Sequence, residues 1–199
     1  MKREMAHATE SPVSSRFFTP SNLLSILRAL LVIPFVAVMV SGLPSARLWG
    51  CIIILLAALT DKLDGMLARR FNEITEWGKI LDPLADKIGV AAVALVLLWL
   101  GDIPFWFVLA LMIRDLLIFA GGMFVKARYG IILASNLLGK WTIVAVSIAL
   151  FAGVLALPSP WLDMLVAAST LMLVLSLASY AARFIELVKG GPEGSDGNS

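Results

Sequence analysis

Long runs of apolar residues dominate this chain, separated by short polar or turn-forming stretches. Each run is roughly 18–25 residues long, the length an α-helix needs to cross about 30 Å of hydrocarbon. The runs are continuous and do not alternate with polar residues, so they do not resemble the strands of a membrane barrel. The pattern predicts an all-α polytopic membrane protein with six transmembrane helices, approximately Asn22–Ser41, Leu48–Arg69, Lys79–Leu100, Phe105–Val125, Lys140–Leu157 and Trp161–Val188.

The two ends of the chain differ from this apolar middle. Residues 1–19 are mostly polar, and residues 189–199 are rich in glycine, serine and acidic residues. Neither end carries enough apolar surface to offset the entropy lost on ordering. We therefore expect a cytoplasmic N-terminal tail over 1–19, one transmembrane domain over 20–188 and a disordered C-terminal tail over 189–199.

Composition and charge placement support a membrane location. Hydrophobic residues make up 60% of the chain and charged residues only 15%, against about 25% charged residues in soluble domains. The net charge of +2 is too small to indicate nucleic acid. Lysine and arginine concentrate in the two termini and in the connections after the second and fourth runs, which predicts that these segments face the cytoplasm. The expected location is a bacterial-type cytoplasmic membrane.

Four aspartates lie near the predicted cytoplasmic ends of the second and third spans. Asp61 and Asp64 are three residues apart and Asp82 and Asp86 are four apart, so each pair lies on one helix face. The two spans are antiparallel neighbours, so their acidic faces can meet. Converging carboxylates repel one another unless cations lie among them. Oxygen ligands without nearby histidine or cysteine favour Mg²⁺ or Mn²⁺, and four carboxylates suffice for two ions, as in phosphoryl-group displacement.

The residues around these aspartates resemble a known signature. The order Asp61-x2-Asp64-Gly65-x2-Ala68-Arg69-x8-Gly78-x3-Asp82-x3-Asp86 is similar to that of the CDP-alcohol phosphotransferases at every fixed position. With the six-span layout, the resemblance covers about residues 20–188. It implies an enzyme that transfers a phosphatidyl group from CDP-diacylglycerol to an alcohol with release of CMP. The family is commonly dimeric, so the resemblance also implies a homodimer.

The resemblance assigns roles to individual residues. It implies that the four aspartates bind two divalent cations, Mg²⁺ or Mn²⁺, and that Asp86 also deprotonates the acceptor hydroxyl. It implies a CDP pocket lined by Gly65, Ala68, Arg69 and Gly78. Asn22 and Ser25 lie in an opening stretch that is similar to the glycerol-phosphate branch of the family. We expect them to contact cytidine, the alternative being that they only cap a helix end.

The acceptor is predicted from a narrower resemblance. The stretch from Asp82 to Lys87 resembles the phosphatidylglycerophosphate synthase and cardiolipin synthase branch, which indicates glycerol-3-phosphate as acceptor. Transfer to phosphatidylglycerol or to another phosphorylated alcohol is the alternative. The chain departs from that branch in having Ile113 and Asp115 around Arg114, and Trp141 after Lys140, where a second lysine is often found.

A phosphorylated acceptor needs cationic donors near the metal site. Arg114 is the first candidate because it interrupts an apolar run and should face the bundle interior. It could instead pair with Asp115 or Asp64. Basic residues at span ends could also satisfy only topology and lipid headgroups, an alternative that applies to Arg28 as well. The predicted acceptor-binding residues are Arg114, Lys140 and Arg128.

Two other classes of membrane protein place aspartates in or near their spans. A transporter uses such acids to relay protons or bind cations, and an aromatic prenyltransferase binds magnesium diphosphates through paired aspartate motifs. A transporter gives no account of Gly65, Ala68, Arg69 and Gly78, and its acids would mark a path across the membrane. The prenyltransferase lacks the Asp-Gly-x2-Ala-Arg continuation. The transferase therefore remains the favoured hypothesis.

Overall fold

The computed structural model describes residues 20–71, 78–130 and 137–190, and over these ranges it contains helices and turns without strands. The all-α prediction is confirmed for this part of the chain. The helices are α1 (Pro20–Leu30), α2 (Val32–Met39), α3 (Ala46–Phe71), α4 (Gly78–Trp99), α5 (Phe105–Tyr129), α6 (Leu137–Val154) and α7 (Trp161–Gly190).

Three of these helices are long and apolar enough to cross a membrane, namely the segments Phe105–Arg128, Leu137–Val154 and Trp161–Val188. Helices α3 and α4 have 26 and 22 residues, but each carries aspartate and lysine residues through one half of its length. The first apolar segment, Leu23–Met39, is shorter. Three predicted spans are thus confirmed among the described residues, whereas the count of six stays a prediction.

The first predicted span, Asn22–Ser41, forms two helices instead of one. Helix α1 ends at Leu30, and α2 begins two residues later. Pro34 has no N–H group and cannot donate the usual helical hydrogen bond to the Leu30 carbonyl, which accounts for the interruption. Leu31 keeps right-handed helical angles (φ −62°, ψ −18°), and its carbonyl accepts a 3.2 Å hydrogen bond from Phe35. The helix is therefore interrupted at Leu31, but no loop separates α1 from α2.

The chain divides into two compact units between Ala92 and Val93. In the first unit, α1 and α2 pack against α3. Phe35 and Met39 of α2 and Cys51 of α3 are buried there. This packing fixes α1 beside the helix that carries the first pair of predicted metal ligands.

In the second unit, α7 packs against both α5 and α6, and polar side chains link it to each of them. Thr142 of α6 donates to the Met172 carbonyl at 3.1 Å, and the Tyr180 hydroxyl donates to the Ile118 carbonyl at 3.1 Å. Helices in lipid gain little from hydrophobic burial against one another, so such interhelical hydrogen bonds contribute to association.

Glycines allow close helix contacts in the same unit. A β-carbon at Gly153 would lie 2.8 Å from Cδ1 of Leu97, and one at Gly121 would lie 3.1 Å from Cε1 of Tyr180. Small residues at these points let neighbouring elements approach closely, as is common between helices in membranes.

A turn at Gly101–Pro104 follows the end of α4 at Trp99. Gly101 has a φ of +77°. Its N–H donates to the Leu98 carbonyl at 3.1 Å, and the N–H of Asp102 donates to the Leu97 carbonyl at 2.9 Å. These paired bonds cap the helix end, and the left-handed angle favours glycine.

Large apolar side chains remain exposed on the described helices. The tryptophans at helix ends are more than half exposed: Trp49, Trp99, Trp106, Trp141 and Trp161. Interfacial tryptophans and apolar outer faces are typical of helices that lie in a bilayer. The surface is that of an integral membrane protein.

Candidate active site

Two of the four predicted metal-binding aspartates have described side chains. Asp61 lies in α3 and Asp86 in α4. Their side chains are 56% and 57% exposed. Both carboxylates are therefore accessible to a bound ion or substrate.

The side chain of Arg28 connects these two carboxylates. Arg28 lies in the last turn of α1. Its Nη2 is 2.8 Å from Oδ1 of Asp61, and its Nη1 donates to Oδ1 of Asp86. The side chain is only 7% exposed. A guanidinium presents its donors in a fixed planar fork, so one rigid group binds an aspartate from each of two helices.

The predicted convergence of acidic side chains is thus seen for Asp61 and Asp86. The sequence suggested cations to neutralise these carboxylates, and the structure shows that one such cation is an arginine of the chain itself. Arg28 offsets one of the two negative charges.

Other predicted site residues belong to the same helices, but their side chains lie outside the described part of the structure: Asp64, Gly65, Ala68 and Arg69 of α3, Gly78 and Asp82 of α4, and Asn22 of α1. Ser25 is described and is 1% exposed. It lies three residues before Arg28, on the same face of α1. Its burial shows that this face of α1 is turned into the protein.

The chemistry of the described ligands fits a hard divalent cation. Asp61 and Asp86 supply carboxylate oxygens, the ligand type that Mg²⁺ and Mn²⁺ prefer. Within the described ranges, no three or more His, Cys, Asp or Glu side chains come together in a metal-binding group. The side chains of Asp64 and Asp82 lie outside the described part of the structure, so the four-carboxylate site stays a prediction.

Arg114, the first candidate for acceptor binding, is buried in α5 at 8% exposure. Its Nη1 donates to Oδ1 of Asp115 at 2.7 Å, and its Nη2 donates to Oγ of Ser176 on α7 at 2.9 Å. Its Nε has no hydrogen-bond partner among the described residues. The predicted inward orientation is confirmed, and the pairing with Asp115 is one of the alternatives that the sequence left open.

The other two candidates for acceptor binding lie at helix ends. Arg128 is in the last turn of α5, and Lys140 is near the start of α6. Both side chains are exposed. They are accessible to an anionic ligand or to lipid headgroups, and their role stays a prediction.

Sequence reasoning did not identify Arg28 as the partner of the two aspartates, or Ser176 as the partner of Arg114. A signal for the first was present: from Leu23 to Leu30, Ser25 and Arg28 are the two polar residues of α1, and they lie on one face. That spacing indicates a buried polar face, but it does not indicate which helix the face meets.

Comparison with known proteins shows which family the chain resembles. Residues 18–181 match the family described as CDP-alcohol phosphatidyltransferase. The CDP-diacylglycerol–glycerol-3-phosphate 3-phosphatidyltransferase of Bacillus subtilis is 40% identical over 110 residues, which is 53% of this chain and 56% of that protein. The cardiolipin synthase (CMP-forming) of Streptomyces coelicolor is 33% identical over 105 residues, or 51% of this chain and 49% of that protein.

A longer match extends over most of the chain. The probable phosphatidylglycerophosphate synthase of Mycobacterium tuberculosis is 32% identical over 185 residues, covering 88% of this chain and 86% of that protein. Matches to the Bacillus and Streptomyces relatives span only about half of those proteins. With the family match over residues 18–181, these similarities establish that the chain belongs to the CDP-alcohol phosphatidyltransferase family.

Proposed function

We propose that this chain transfers the phosphatidyl group of CDP-diacylglycerol to glycerol-3-phosphate, forming phosphatidylglycerophosphate and CMP. Family membership and the names of two relatives support this reaction. The structural observation that carries it is the meeting of Asp61 and Asp86 at one guanidinium. A transporter has no use for the nucleotide-binding signature that follows Asp61.

The proposed chemistry is a displacement at phosphorus. The acceptor hydroxyl oxygen attacks the phosphorus that carries the diacylglycerol. The bond from that phosphorus to the bridging oxygen of the diphosphate breaks, and CMP leaves with the electron pair. Asp86 accepts the proton of the acceptor hydroxyl at a carboxylate oxygen.

Two divalent cations, Mg²⁺ or Mn²⁺, would be held by Asp61, Asp64, Asp82 and Asp86, and when bound they stabilise the charge on the departing phosphate. The side chains of the chain itself then orient the substrates. Arg69 would neutralise part of the diphosphate charge, since a guanidinium binds phosphate oxygens strongly. Gly65, Ala68 and Gly78 would leave room for the nucleotide, with Asn22 and Ser25 on the cytidine side.

The acceptor phosphate would be bound by Arg114, Lys140 and Arg128. Among the described residues, the Nε of Arg114 has no hydrogen-bond acceptor. This supports the role, because a buried donor without a partner favours an anionic ligand. The acceptor and CMP are water-soluble, and the basic residues at helix ends support a site on the cytoplasmic side. We further propose six spans, both termini in the cytoplasm and a homodimeric assembly, on the basis of the apolar runs, the charge distribution and the family.

The test uses purified full-length protein in detergent with labelled CDP-diacylglycerol and Mn²⁺. Glycerol-3-phosphate, phosphatidylglycerol and other alcohols are offered separately, and the lipid product and CMP are both measured. We expect CMP and phosphatidylglycerophosphate with glycerol-3-phosphate, and neither with the Asp61→Ala variant. Absence of product with every acceptor would refute the assignment.

Transfer to phosphatidylglycerol, as in a cardiolipin synthase, is the second candidate. The similarity to the Streptomyces cardiolipin synthase favours it. In the same assay it would appear as cardiolipin formed only when phosphatidylglycerol is supplied. Such a result would make phosphatidylglycerol the acceptor in place of glycerol-3-phosphate, and CDP-diacylglycerol would remain the donor.

A further inference from the structure

We propose that Arg28 is a positioning residue for the metal site: its guanidinium holds the carboxylates of Asp61 and Asp86 in the relative placement that a divalent cation requires. The inference rests on the proposed function, because it takes these two aspartates as metal ligands. It concerns a residue of α1, outside the acidic signature on α3 and α4.

The geometry supports positioning because one planar group contacts two helices. Nη2 of Arg28 is 2.8 Å from Oδ1 of Asp61, and Nη1 donates to Oδ1 of Asp86. The two donors are fixed relative to each other within the guanidinium plane. Oxygen atoms from α3 and α4 are therefore held together, although like charges on these side chains would otherwise drive them apart.

The exposed fractions of the three side chains indicate from which side Arg28 contacts the two carboxylates. Arg28 is 7% exposed, whereas Asp61 and Asp86 are 56% and 57% exposed. The guanidinium thus contacts the carboxylates from the protein interior and leaves much of their surface accessible. An ionised carboxylate has two oxygens with about four acceptor sites, so each can bind Arg28 and a cation at once.

A hydrogen-bonding partner of this kind is expected to strengthen metal binding. Residues that orient metal-binding side chains typically change metal affinity by about 10–100-fold when substituted. The positive charge of Arg28 acts in the opposite direction, because it repels a dication nearby. The two effects therefore predict opposite changes in affinity when the guanidinium is removed.

The test measures Mn²⁺ binding to the purified full chain by electron paramagnetic resonance of free Mn²⁺, without substrate. Positioning predicts that Arg28→Gln weakens Mn²⁺ binding by roughly 10–100-fold. Arg28→Lys should also weaken it, because an ammonium keeps the charge but lacks the planar fork. Comparable Mn²⁺ affinity in Arg28→Lys, or tighter binding in Arg28→Gln, would overturn the proposal.

The matched control is Arg47→Gln, which removes an arginine of α3 that lies fourteen residues before Asp61, or about 21 Å along the helix. It should leave Mn²⁺ affinity unchanged even where it lowers stability. Binding is compared only in the monodisperse fraction from size exclusion, and Arg28→Lys retains the buried charge should the glutamine variant fold poorly.

The result separates this proposal from the proposed function. If the wild-type chain binds Mn²⁺ and releases CMP while both Arg28 variants bind Mn²⁺ equally well, positioning by Arg28 is wrong and the proposed function stands. If the wild-type chain binds no Mn²⁺, both proposals fall.

Discussion

Asp61 of α3 and Asp86 of α4 bind the same guanidinium, each through Oδ1, although they lie on different helices. The two carboxylates consequently behave as one unit with Arg28. Changing one aspartate alters the surroundings of the other through the shared arginine. The expected roles still differ, because only Asp86 is proposed to accept a proton.

Asp86→Asn should separate proton transfer from metal binding. The amide cannot act as a base, so we expect turnover to fall by about 10²–10⁴-fold, the usual contribution of general base catalysis. Part of the Mn²⁺ affinity should remain, because Asp61 is unchanged and the amide oxygen can still bind a cation. CMP release and Mn²⁺ binding are measured on the same preparation.

Asp163→Asn is the control for this substitution. Asp163 is an exposed aspartate at the start of α7 that accepts a hydrogen bond from Ser159. Its replacement should leave CMP release at the wild-type rate. Normal turnover in Asp86→Asn would place the base on another residue.

Chelation should stop the reaction reversibly. Removing divalent cations with EDTA leaves the carboxylates without the ions that stabilise the departing phosphate, so CMP release should cease. Addition of Mg²⁺ or Mn²⁺ in excess should restore it. EDTA already saturated with Mg²⁺ serves as control and should have no effect. Full activity after exhaustive chelation would contradict the metal assignment.

Ser176→Ala should destabilise the second unit. The substitution removes the acceptor for Nη2 of Arg114, whose Nε already lacks a described partner. A buried donor left unsatisfied costs about 1–3 kcal/mol, so the free energy of unfolding should fall by a similar amount. Thermal denaturation in detergent measures the change as a lower Tm.

The matched substitution is Ser169→Ala, on the same buried face of α7. Within the described part of the chain, the Ser169 hydroxyl donates only to carbonyls of its own helix, those of Leu165 at 2.7 Å and Val166 at 3.0 Å. Its loss leaves no buried charge without an acceptor, so the Tm should change less. Equal losses in the two variants would show that the Arg114 contact contributes nothing specific.

Two glycine substitutions should change stability in opposite directions. At Gly153, a β-carbon would lie 2.8 Å from Cδ1 of Leu97, and Leu97 is completely buried. Overpacking costs about 1–3 kcal/mol, which meets or exceeds the roughly 1 kcal/mol gained in helix propensity. Gly153→Ala should therefore lower the Tm.

Gly89 provides the comparison because a β-carbon there would meet nothing within 4 Å. In the interior of α4, alanine is favoured over glycine by roughly 0.5–1 kcal/mol. Gly89→Ala should raise the Tm. A rise at position 153 equal to that at position 89 would show that the Leu97 contact relaxes without cost.

The course of the helices follows closely from the sequence. The runs predicted at Lys79–Leu100 and Trp161–Val188 correspond to α4 (Gly78–Trp99) and α7 (Trp161–Gly190). Such runs depend on local composition and on the turns that bound them, so a single sequence is enough to locate them. The interruption at Leu31 was harder to foresee, because the apolar run continues through Pro34.

Contacts between helices were less predictable. Apolar residues occur all around α7 between its charged ends, so its hydrophobic pattern does not indicate which side is buried. Ser169 and Ser176 are both buried and lie seven residues apart, which places them on the same side of the helix. In retrospect, these two serines mark the buried side. The contact of Arg28 with Asp61 and Asp86 depends on the rotation of three helices about their axes. That rotation is set by packing and cannot be derived from spacing along one helix.

The uneven charge along α3 and α4 bears on how two very different substrates could reach one place. Each helix is apolar over one half and carries its acids in the other, so if both helices span the membrane as proposed, the carboxylates would lie where hydrocarbon gives way to water. A phosphorylated alcohol can arrive there by diffusion without entering the oily layer. A lipid can present its headgroup there while its acyl chains stay among their neighbours. Neither extraction of the donor nor passage of the acceptor through the bilayer is then required.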